Sequence, residues 1–86
     1  MASQYKPFDI SHFCRVYLRF ISMTGQQVNT YYERPQHLSD EEITSEALVN
    51  AEDMKKRFHL RDLISIYIGR TATDVAFYES QPNPQN

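Results

Sequence analysis

Residues 11–33 read Ser-His-Phe-Cys-Arg-Val-Tyr-Leu-Arg-Phe-Ile-Ser-Met-Thr-Gly-Gln-Gln-Val-Asn-Thr-Tyr-Tyr-Glu. Taken alone, Ser11–Ile21 fits two periods. As a helix it offers Ile10, Phe13, Cys14, Tyr17, Leu18 and Ile21, with Gly25 as a cap; as a strand it offers Cys14, Val16, Leu18 and Phe20 on one face. Pairing decides between them. If Met23-Thr24-Gly25 is a three-residue loop with Gly25 left-handed, Phe20 faces Val28, Leu18 faces Thr30 and Val16 faces Tyr32. The opposite face then sets Arg15 against Glu33, Tyr17 against Tyr31 and Arg19 against Asn29. Such cross-strand pairs stabilise sheets, and a helix would leave Gln26–Glu33 without a partner. The stretch is therefore read as a β-hairpin.

Beyond the hairpin, Ser39-Asp40-Glu41-Glu42 is a capping box, with Leu38 and Ile43 placed for a hydrophobic staple. Ile43, Ala47, Ala51, Met54 and Phe58 recur at helical spacing. Glu52–Lys56 and Asp53–Arg57 are i,i+4 pairs in the favourable order. A helix is expected from about Asp40 to His59.

Ile64, Ile66 and Ile68 then alternate with Ser65, Tyr67 and Gly69. With a loop over Arg70–Thr73 and a returning strand Asp74–Glu79, Ile68 would face Val75 and Ile66 would face Phe77. The expected fold is α+β in the order ββαββ: two β-hairpins forming an antiparallel-type sheet with one helix packed on one face. Residues 1–80 form a single domain in this reading, and the Gln81–Asn86 tail, with its two prolines, is expected to be disordered.

One helix cannot cover both faces of a four-stranded sheet. The other face would carry Arg15, Tyr17, Arg19, Tyr31, Tyr67 and Tyr78, with Ser65. Tyr and Arg are the residue types enriched at binding hot spots; they also suit strands for purely local reasons. A second candidate is the basic cluster Lys55, Lys56, Arg57 and Arg61, which equally suits the negative end of a helix. The acidic run Asp40–Glu46 either imitates phosphate charge or simply opens the helix.

Composition narrows the function classes. The 86 residues include one cysteine and carry a net charge of −2, with 41% hydrophobic residues. A lone Cys14 allows no internal disulfide and fits a reducing compartment. No stretch approaches the ~20 apolar residues of a membrane span, and a cytoplasmic location is the simplest expectation. His12 and Cys14 form an H-x-C pair, but two ligands do not make a zinc site. No glycine-rich phosphate loop or catalytic constellation stands out, so no cofactor and no metal are expected.

The sequence thus points to a small non-catalytic protein-interaction module rather than an enzyme. It would be an inhibitor or adaptor of the kind phages and mobile elements encode, homodimeric, and binding through the Tyr/Arg face. The alternative is a nucleic-acid-binding regulator that uses the same face plus the Lys55–Arg61 cluster.

Overall fold

The computed structural model describes residues 7–81, so the expected disorder of 82–86 and the start of the domain at residues 1–6 lie outside it. The elements run β1 (Phe13–Ser22), β2 (Gln27–Pro35), α1 (Asp40–Phe58), β3 (Leu60–Gly69) and α2 (Ala72–Glu79). Among the described residues the sheet has three strands, ordered β2-β1-β3. Both pairings are antiparallel. The class is α+β.

The hairpin has the expected register. Arg15 lies opposite Glu33, Tyr17 opposite Tyr31 and Phe20 opposite Val28. Gly25 has φ 87°, the left-handed backbone that a three-residue loop requires. Strand β1 is central, with β3 on its other side. Between the pairs Arg19–Ser65 and Phe20–Leu63 the β3 strand skips Ile64, and between Ile21–Asp62 and Ser22–Leu60 it skips Arg61. These two bulges bend the outer end of β3.

Helix α1 starts as its capping box dictates. The Ser39 hydroxyl accepts from the Glu42 amide, and the Glu42 carboxylate accepts from the Ser39 amide. It ends at His59, a left-handed residue whose N–H reaches the Lys55 carbonyl. Ile43, Ala47 and Ala51 pack on Val16, Leu18 and Phe20, and these six are the centre of the core. We expect Ser39→Ala to lower stability by about 1 kcal/mol through loss of the cap; chemical denaturation checks this, and an unchanged midpoint would contradict it.

The fourth strand is the point of correction. Residues 72–79 form a helix, so the ββαββ order does not hold and the expected pairs Ile68–Val75 and Ile66–Phe77 do not exist. The cause is local. Thr71 accepts from the Asp74 amide while the Asp74 carboxylate accepts from the Thr71 amide, a second capping box. With a helix nucleated there, Val75, Tyr78 and Glu79 share one face at i, i+3 and i+4. Gly69 makes room for it: a Cβ there would lie 3.0 Å from the Val75 Cγ2 methyl.

A polar junction ties the elements together at one end of the sheet. The Gln36 amide donates to the carbonyls of Ile10, Phe13 and Arg70. The Arg70 guanidinium donates to the Gln36 and Leu38 carbonyls and to the Asp40 carboxylate. Arg70 thereby links the end of β3 to the start of α1.

Candidate functional site

The Tyr/Arg residues do come together, but on a closed face. Helix α2 lies across the side of the sheet opposite α1. Arg15 and Tyr17 are each 1% exposed, while Arg19, Tyr31, Tyr67 and Tyr78 are half-buried. The expectation of an open face is therefore corrected: it assumed one helix, and the second covers it. Tyr78 belongs to that cover rather than to the sheet. Its ring stacks on Tyr17 at 4.1 Å and on Tyr67 at 4.9 Å between centroids. Ser65 sits beside this cluster, opposite Arg19.

Charge holds the cover down. The Arg15 guanidinium donates to Glu79 at 3.0 Å and to Glu33 at 3.1 Å. It also lies over the Phe8 and Tyr31 rings, at 4.0 and 4.5 Å. The Tyr17 hydroxyl donates to the same Glu79 carboxylate, and Arg19 donates to the Tyr78 hydroxyl at 3.3 Å. Burial, reinforced by the Glu79 hydrogen bond and charge, pushes the Tyr17 phenol well above its ordinary range. The buried Arg15 charge is thus paired with two carboxylates of the same chain, the arrangement a buried charge needs.

The basic cluster is largely neutralised by neighbours. Lys55 pairs with Glu52 at 2.9 Å, Arg57 with Asp53 at 3.0 Å and Arg61 with Asp62 at 2.9 Å. The partner of Glu52 is thus Lys55, one residue nearer than the expected Lys56, and Lys56 makes no ion pair among the described residues. The acidic run is similarly engaged: Asp40 with Arg70, Glu42 in the cap, and Glu46 with Arg34.

The H-x-C pair divides between two settings. Cys14 is buried, and burial raises its thiol pKa. His12 is exposed in the preceding turn and bonds to Asp9. Hydrogen bonds from Ser11 and His12 hold the Asp9 carboxyl down to about 2. Among the described residues no cluster of three or more His, Cys, Asp or Glu side chains could hold a metal ion, and no helix is long and apolar enough to cross a membrane.

The open side is elsewhere. Helix α1 packs on β3 and, to a lesser extent, β1. The α1-facing side of β2 is left half covered, with Val28, Thr30 and Tyr32 all half-buried. A trough results, with β2 as its floor and α1 as its single wall. One end is lined by Phe20, Val28, Met54 and Phe58, and the other by Tyr32, Val49 and Asn50. Polar ties brace the second end: Asn50 donates to the Tyr32 hydroxyl at 3.3 Å, and Arg34 grips Glu46 with two bonds of 2.9 Å. Val49 is 71% exposed and Phe58 61% exposed beside this trough. The periodicity places Phe58 on the buried stripe of α1; the structure leaves it exposed at the rim of the trough.

Comparison with protein-family models, with curated proteins and with solved structures gives no match.

Proposed function

We propose that the chain is a non-catalytic protein-interaction module, an adaptor or inhibitor, that receives its partner on the α1/β2 side. The observation that carries this reading is the pair of large apolar side chains, Val49 and Phe58, exposed beside a half-covered strand. Apolar surface gathered around a groove and rimmed by polar residues is characteristic of binding sites. A third strand whose α1-facing side lacks a helix above it leaves room for a partner element there. A reducing intracellular compartment belongs to the same proposal and suits the single buried thiol of Cys14. The Lys55–Arg61 cluster gives the nucleic-acid alternative little support, since three of its four cations are already paired with acids.

The test is affinity capture of the tagged chain from cells that encode it, with and without nuclease, using wild type and Val49→Asp. Val49 is largely exposed, so the variant should keep its fold. The expected result is a set of proteins retained after nuclease treatment and lost on Val49→Asp. A retained set indifferent to Val49, or one removed by nuclease, would overturn the reading.

A further inference from the structure

We draw no further inference here: the strongest candidate, the apolar end of the α1/β2 trough lined by Phe20, Val28, Met54 and Phe58, belongs to the surface already described, and nothing in the structure shows what covers it.

Discussion

Glu79→Ala is expected to destabilise the protein by about 3 kcal/mol and to release α2 from the sheet. The basis is the fate of Arg15. Its guanidinium is buried and shares two carboxylates, Glu33 and Glu79. Removing one partner of a buried ion pair typically costs about 3–5 kcal/mol, because the remaining charge is left under-compensated. The lower end applies here, since Glu33 remains and Glu79 is partly exposed. The same change takes away the acceptor of the Tyr17 hydroxyl. Urea denaturation gives the stability, and alkaline titration at the tyrosine absorbance band gives a second readout. In wild type the folded Tyr17 ionises above its ordinary pKa of about 10. Its contribution is therefore complete below pH ~10 and declines as pH rises further, because the unfolded chain loses that proton first. The variant should titrate Tyr17 closer to its ordinary range. A variant with wild-type stability and an unchanged titration would mean that α2 is not held by Glu79.

Phe20→Ala should cost about 3–5 kcal/mol, the range for truncating a buried phenylalanine. Phe20 is fully buried on the central strand between α1 and the β2 side, and it also lines one end of the trough. A domain of this size has a total stability of roughly 4–13 kcal/mol. The variant should thus be close to unfolding at 37 °C. Thermal denaturation measures it, and a loss below about 1 kcal/mol would show that Phe20 is not central to the core.

Much of the architecture is legible in the sequence where two independent signals coincide. The hairpin could be read because strand alternation, Gly25 and the paired Arg15–Glu33 and Tyr17–Tyr31 positions all demand one register. Helix α1 carries a cap, a staple and an apolar stripe that agree. Helix α2 is not legible in the alternation, because Val75, Phe77 and Glu79 alternate over only a few residues, where strand and helix periods are not separable. The deciding signal is Thr71-Ala72-Thr73-Asp74, a capping box with Asp in place of the usual Glu.

That second helix decides which side of the sheet is open. Arg15, Tyr17, Arg19, Tyr31 and Tyr67 share one side of the sheet as the alternation predicts, yet they receive α2 rather than face solvent. The trough could not be read from sequence, since it depends on α1 lying over β3 and β1 instead of over β2. The role of Gln36 and Arg70 in joining three segments was equally invisible, because a single amide and a single guanidinium carry no periodicity.

Backbone amide exchange, compared between the dilute chain and the chain in its captured assembly, tests most directly which side of the protein binds. The account predicts new protection along β2 and along Val49–Phe58, with rates across Tyr67–Gly69 and Val75–Glu79 unchanged. New protection confined to Tyr67–Gly69 and Val75–Glu79, with β2 and α1 exchanging as before, would contradict it and return the binding role to the Tyr/Arg face.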